Sequence, residues 1–433
     1  MNLDLTENQV LKIWQGCAGR DDLETEDDGP VKVIYPGRAN DGGGADFRDA
    51  VIQTSHGLLT GDIEIHTRSS QWRAHRHHLD PLYNRVVLHI VFRHDIEKPV
   101  VLENGRSVPT LALRKMPAPG DFLPAALPAA CRGFNVTGAT NSISEILDNA
   151  GEQRFRARAA GFQTVTSPEE AAQALYRGIM AALGYSKNKH PMSELACRMP
   201  LRRLEAPAAE APDMECLASV QALLTGMAGL LPSKRVRCRA DDENLRWIEE
   251  LEKRWSAAGE TAAMSENDWQ FFRVRPVNFP DRRIAAMSVL LLRYRDKGLL
   301  EGLIDVLQTV SIDSRCNQLE NALLVEAENS RYPDKTALLG RSRAAVIIIN
   351  VLLPFAVAWG RLNSRPELVE RALAIYRRYP PLAANTLERH MGRQLGIGGS
   401  VVNTARRQQG LIHLFKTFCS IGGCLNCPLN KEN

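Results

Sequence analysis

The sequence predicts an α+β protein: an N-terminal mixed β-sheet domain, a large all-α domain, and a C-terminal cysteine knuckle. Three observations predict it. Short alternating or β-branched runs fill the chain up to Arg114, whereas apolar residues recur at helical spacing from Ser142 onward. The tail then carries Cys419, Cys424 and Cys427 in a C-x4-C-x2-C pattern with two glycines between the first pair. The expected segments are 1–130, 131–415 and 416–433.

At 433 residues, 44% hydrophobic and 24% charged, the chain is globular and long enough for two or three domains. A net charge of +4 means that any basic surface must be local. No apolar core follows a basic start, so no signal peptide is expected. The longest apolar run, Ala344 to Trp359, is interrupted by Asn350 and Pro354 and reads as too short to span a bilayer. Nine cysteines without secretory signals point to a reducing cytoplasm and no membrane.

Taken in order, Thr6 caps a helix over 7–18 with Val10, Leu11, Ile13 and Trp14 on its apolar face. Glu7 at its start reads as solvated surface. Val31 to Tyr35 is a strand ending at Pro36-Gly37, and the Gly42–Gly44 run lets the backbone pass close to a neighbour. No Lys-Ser/Thr follows, so this is not a phosphate loop. Ala50 to Thr54 is a second strand with Asp46 at its mouth. After a hairpin loop, Gly61 to His66 alternates, placing Asp62, Glu64 and His66 on one face and Ile63 and Ile65 on the other. Arg85 to Phe92 reads as a central strand carrying His89. A hairpin around Asn104-Gly105 follows, and Pro117 to Pro128 ends the β-rich part. Helices are then expected over 142–160, 168–183, 217–230, 243–257, 281–294, 298–309, 342–358 and 366–379, with no fixed repeat.

Histidines concentrate in one stretch: six of the ten lie between Gly43 and Phe92, at 56, 66, 75, 77, 78 and 89, interleaved with Asp46, Asp62 and Glu64. Imidazole and carboxylate are the ligands that divalent metals take from proteins. The candidate ligands are therefore Asp46, Glu64, His66, His75, His77 and His89, with the His75-x-His77 pair expected on one face of a strand. At the other end, Cys419, Cys424 and Cys427 supply three thiolates of a zinc or iron–sulfur centre. The fourth ligand comes from Cys131, Cys316 or, for zinc, His413. Arg273, Arg275, Arg282 and Arg283, with Asn278 and Phe279, form a basic turn at a helix entry. It would hold the phosphates of DNA or RNA and stack a base, or else cap carbonyls between helices, the reading that carries more weight.

Tyr35-Pro36-Gly37…Asn40, GADF at 44–47, GDIEIH at 61–66, SSQW with H-x-HH-x-D at 69–80, and YNRVVLHIV at 83–91 together resemble an uncharacterised bacterial family. Its signature is YPG-x-x-N…GPDF…GDVEIH…SSDW-x-x-H-x-H…LHVV. The likeness extends to LGYSKN, RVRPVNFP and CSIGGCLNC, and departs from the family at Ala45 and Gln71. The family is one of unknown function. The N-terminal part is also similar to PD-(D/E)XK nucleases, in which two carboxylates hold Mg²⁺ or Mn²⁺ and a third residue assists the attacking water. That likeness implies Asp46, Glu64 and His66 in the three roles, with histidine in place of lysine. Iron–sulfur nucleases of the class are similar in cysteine layout, which implies Cys131 as the partner of the C-terminal three. Three classes follow: a metal-dependent nuclease; a β-barrel metalloenzyme with His66, His75, His77 and His89 around Fe, Mn or Zn; and a non-catalytic scaffold binding nucleic acid or a partner.

Overall fold

The computed structural model describes residues 5–113 and 140–430, apart from 16, 18–21, 28, 41–42, 164, 166, 206–211, 232–241, 260–261, 273, 311–316, 327–335, 422 and 424–425. A mixed sheet is followed by a helical region, so the α+β expectation describes the chain. The strands are β1 (Leu23–Thr25), β2 (Gly29–Tyr35), β3 (Arg38–Ala39), β4 (Phe47–Thr54), β5 (Gly57–Arg68), β6 (Val86–Arg93), β7 (Val100–Val101), β8 (Ser107–Val108) and β9 (Thr110–Ala112). The main sheet runs β1-β2-β4-β5-β6-β9, with β3 paired to β4, while β7 and β8 form a separate hairpin. Pairing is antiparallel from β1 to β5 and parallel from β5 through β6 to β9.

Right-handed twist brings the two edges of this sheet together. Glu26 on the turn after β1 donates its N–H to the Thr110 carbonyl of β9 at 2.7 Å, so the sheet is a nearly closed barrel. Helix α1 (Glu7–Gln15) packs on β5, and Trp14 is fully buried with its indole N–H on the Pro36 carbonyl at 2.9 Å. Val10 and Trp14 share a core with Val33, Phe47, Ile52, Ile63, Ile65, Leu88 and Ile90. Each such fully buried side chain contributes about 1.5–3 kcal/mol.

The alternation read in Gly61–His66 holds. Ile63 and Ile65 face that core, and Asp62, Glu64 and His66 are buried as well. Gly61 is demanded by the β5–β6 approach, since a Cβ there would lie 2.3 Å from Val87 Cγ1 and 2.5 Å from the Arg85 carbonyl. The parallel β5-to-β6 connection carries α2 (Gln71–Ala74) and two 3₁₀ turns, His77–Leu79 and Pro81–Tyr83. Trp72 of α2 is buried with Ala45, Val86, Val100, Leu102 and Val108.

The chain divides into two compact units: 1–152 with 384–403 and 407–433, and 153–383 with 404–406. Relative to the expected segments 1–130, 131–415 and 416–433, this division places the C-terminal residues in the unit of the sheet. There, helices Thr386–Leu395 and Ala405–Thr417 bury Met391, Leu395, Leu411 and Phe415 with Tyr35 and Val51. The first of these helices opens on a reciprocal Asn385–Glu388 cap and closes at Gly396 in the left-handed region.

The second unit is helical around one large core. Its longest apolar helix runs unbroken from Arg341 to Leu362, long and apolar enough to cross a membrane, but 78% of that window is buried inside the protein. The expectation that this run is too short is thereby corrected, and Asn350 lies in a π turn over Ile348–Leu352 that Pro354 follows. Pro354 has no N–H for the Asn350 carbonyl four residues back, and the Arg158 guanidinium donates to that carbonyl at 3.1 Å.

Candidate metal centre

Six sequence-predicted residues converge on the polar face of β5. Glu64 and His66 project from β5 two residues apart. His89 sits beside Glu64 on parallel β6. His75 caps the end of α2 and His77 opens the next turn, with Arg76 between them in the left-handed region at φ 61° and ψ 26°. That conformation costs a non-glycine residue roughly 1–2 kcal/mol. It reverses the chain so that both imidazoles turn toward β5. The H-x-H pair therefore shares a target through a left-handed residue, not through strand alternation, which corrects the expected strand.

His66 Nε2 lies 3.1 Å from His75 Nδ1 and 3.6 Å from Glu64 Oε1, and Glu64 Oε1 lies 3.2 Å from His77 Nε2. Among the described residues, His66, His75 and His77 each offer a nitrogen within 4.8 Å of the other two. In a tetrahedral centre with bonds of about 2.1 Å, donor atoms are separated by roughly 3.4 Å. The observed spacings bracket that edge. His77 Nε2 is also a buried nitrogen without a hydrogen-bond partner, because its approach to Glu64 is close but out of line. Such an orphan is costly unless something fills the gap. The residues present thus fit one metal ion held by His66, His75 and His77, with Glu64 Oε1 beside two of them.

The remaining two predicted ligands play supporting parts. His89 is fully buried, and its Nε2 lies 2.9 Å from His66 Nδ1, on the side of the ring turned away from the other donors. Asp46 accepts the Ile65 N–H at 3.0 Å and gives its own N–H to Glu64 Oε2 at 3.1 Å, so it braces Glu64 from the mouth of β4. Trp72 meets the rings of His77 and His89 edge-on or tilted, and Tyr83 lies 3.9 Å from the His77 ring. Sequence reasoning missed these two aromatic supports. Asp62 belongs elsewhere: Arg48 and the Asp49 N–H hold it, as befits a buried carboxylate fixing β4 against β5.

Burial pushes the Glu64 carboxyl up to about 8; the Asp46 N–H and Arg48 oppose the shift, and Glu7 adds to it. Asp46 rises to about 7, by burial first and the Glu64 charge second, against the Ile65 hydrogen bond. Glu7 raises both, so the helix start that reads as plain surface lies within electrostatic reach of the site. Burial and the neighbouring imidazoles hold His66 far below its ordinary value; burial lowers His77 and takes His89 to about 3. Neutral imidazoles are the form that binds metal.

The residues matched by one family model, described as a protein of unknown function (DUF2851), run from 7 to 384. The chain belongs to the DUF2851 family. The matched span takes in every donor of the centre and ends before Cys419. No curated protein matches the chain, and no solved structure does.

Two other expected sites of this DUF2851 member stand differently. Cys419 and Cys427 are buried in the apolar cluster of the first unit, whereas Cys131 and Cys424 lie outside the described residues, as does Cys316. In the basic turn, Arg273 lies outside the described residues and Arg275 is exposed. Arg282 and Arg283 are buried, which corrects their reading as phosphate ligands. Arg282 donates to the Thr336 carbonyl and hydroxyl, and Arg283 to the carbonyls of Leu338 and Val277, to Asn278 Oδ1 and to the Tyr185 hydroxyl. The terminal nitrogens of both guanidinium groups close the turn, so they act as carbonyl caps.

Proposed function

We propose that this protein is a metal-dependent phosphodiesterase of the nuclease kind, acting on DNA or RNA. One observation carries the reading: Asp46, just before β4, gives its N–H to Glu64 of the Glu-x-His on antiparallel β5, beside His66, His75 and His77, whose nitrogens lie close enough together to hold an ion. The order of Asp46, Glu64 and His66 along the chain resembles that of the PD-(D/E)XK nucleases, with two further imidazoles, His75 and His77, beside His66. A donor set of three imidazoles and one carboxylate suits Mn²⁺, Fe²⁺ or Zn²⁺ better than Mg²⁺, which prefers oxygen ligands and retained waters. When bound, such an ion supplies Lewis-acid stabilisation of charge on the phosphoryl oxygens.

Glu64, His66, His75 and His77 would hold the ion, and His89 would orient the His66 ring. Asp46, pushed to about 7, is matched to accept a proton from water near neutral pH. In this reading the water oxygen bonds to phosphorus as the bond to the leaving oxygen breaks. Asp46 takes the water's proton, and the leaving oxygen is protonated from solvent. Cys131, Cys419, Cys424 and Cys427 are proposed to bind a second centre, zinc or iron–sulfur (4Fe–4S), read out as an extra metal equivalent or a brown chromophore.

The test is cleavage of single-stranded and duplex DNA and RNA by the full chain loaded with each of the four ions. Activity lost in both Asp46→Asn and Glu64→Gln supports the reading; no cleavage of any substrate with any ion refutes it. The imidazole-rich set within a nearly closed barrel favours a second reading, a Fe, Mn or Zn enzyme of other chemistry. Tight binding of one such ion without phosphodiester cleavage would select it.

A further inference from the structure

The strained residue of the centre is an arginine. Arg76 stands between two proposed ligands in a backbone conformation that glycine adopts freely, and it is exposed. Among the described residues its side chain makes no hydrogen bond or ion pair, so the guanidinium does not stabilise the loop that carries it. Arg73, three residues earlier on α2, is exposed and equally unengaged. Beside them Leu79 and Leu82 are 65% and 56% exposed, on the turns that close the loop. Asp80, the nearest acid on that loop, is occupied in accepting the Leu82 N–H. The β5-to-β6 connection that carries two of the proposed ligands therefore also carries two exposed, unengaged planar cations and two solvent-facing apolar side chains.

We infer that Arg76, supported by Arg73, anchors the phosphate of a nucleotide-type phosphoester at the metal centre, with Leu79 and Leu82 against its sugar or base. A guanidinium fork matches phosphate oxygens two at a time, and a nearby divalent ion raises the local positive potential further. Apolar contact beside a phosphate anchor suits a nucleotide better than a bare inorganic anion. This inference rests on the metal centre proposed above and names the residue that recognises its substrate.

Arg76→Gly is the decisive variant, because it removes the guanidinium while relieving the backbone. Full-length protein loaded with Mn²⁺ would be titrated with a thymidine dinucleotide and with inorganic phosphate. The wild type should bind the dinucleotide more tightly than phosphate. Arg76→Gly should weaken dinucleotide binding at least tenfold with metal content and melting temperature undiminished, and Arg76→Lys should restore part of it. A variant that binds as tightly as wild type overturns the inference, as does a wild type that binds neither probe. Dinucleotide binding that depends on Arg76 but leads to no cleavage would leave this anchor standing and refute only the phosphodiesterase reading.

Discussion

Replacing Glu64 by Gln tests the electrostatics of the centre without emptying its volume. The amide keeps an oxygen to accept the Asp46 N–H, which reaches Glu64 Oε2 at 3.1 Å in the wild type. Only the ionisable charge is lost. Moving this carboxyl from an ordinary 4.5 to about 8 corresponds to an upper bound of roughly 5 kcal/mol between its protonated and ionised forms. Since the folded value lies above the unfolded one, the stabilisation is complete below about pH 4.5 and is lost as pH rises through 8. The neutral buried His66 and His89, held below their ordinary values, act in the opposite sense over the same range, so the carboxylate contribution is read by comparison. The urea-stability advantage of chelated wild type over Glu64→Gln should be several kcal/mol larger at pH 5 than at pH 8, and Asp46 adds to it because it relaxes once the charge that is its second-largest perturbation has gone. Saturating Mn²⁺ at 100 times its Kd should add about 2.7 kcal/mol to the wild type and nothing to the variant. Equal pH slopes for the two metal-free proteins would refute the buried-carboxylate argument.

The other substitutions separate ligand, support and scaffold. His75→Ala and His77→Ala should each abolish stoichiometric ion binding in equilibrium dialysis. His89→Phe should keep the stoichiometry and weaken affinity about 10–100-fold, the usual effect of losing an outer-shell partner; a complete loss would make His89 a ligand. Arg283→Ala should destabilise the fold by about 3 kcal/mol or more in urea melts, since it leaves buried carbonyls unpaired, whereas exposed Arg275→Ala should stay within about 0.5 kcal/mol. Gly61→Ala should cost about 2–3 kcal/mol, because its Cβ would be driven into Val87 and the Arg85 carbonyl; a neutral Gly61→Ala would mean that β5 and β6 part easily.

Local pattern made much of the first unit legible. The two faces of β5 differ so sharply in polarity that Gly61–His66 admits one alternation, and the crowding of histidines marks the loop that supplies two more donors. What stayed hidden depends on long-range or backbone geometry. No glycine marks residue 76, so its left-handed turn was invisible and H-x-H read as strand. The placement of His89 behind His66 follows from the parallel β5–β6 register, which no local period encodes. Arg282 and Arg283 look like a basic turn until the segment 336–338 supplies the carbonyls that bury them. Edge closure between the β1 turn and β9 joins residues over eighty positions apart and likewise leaves no local trace.

The most direct test of the metal centre is anomalous diffraction from crystals soaked in Mn²⁺ and, separately, Zn²⁺. A single strong peak about 2.0–2.2 Å from Glu64 Oε1, His66 Nε2, His75 Nδ1 and His77 Nε2 is the predicted result. The central claim is contradicted if no peak appears there in either soak, or if the ion sits on Asp46 and Glu64 with the histidines uncoordinated.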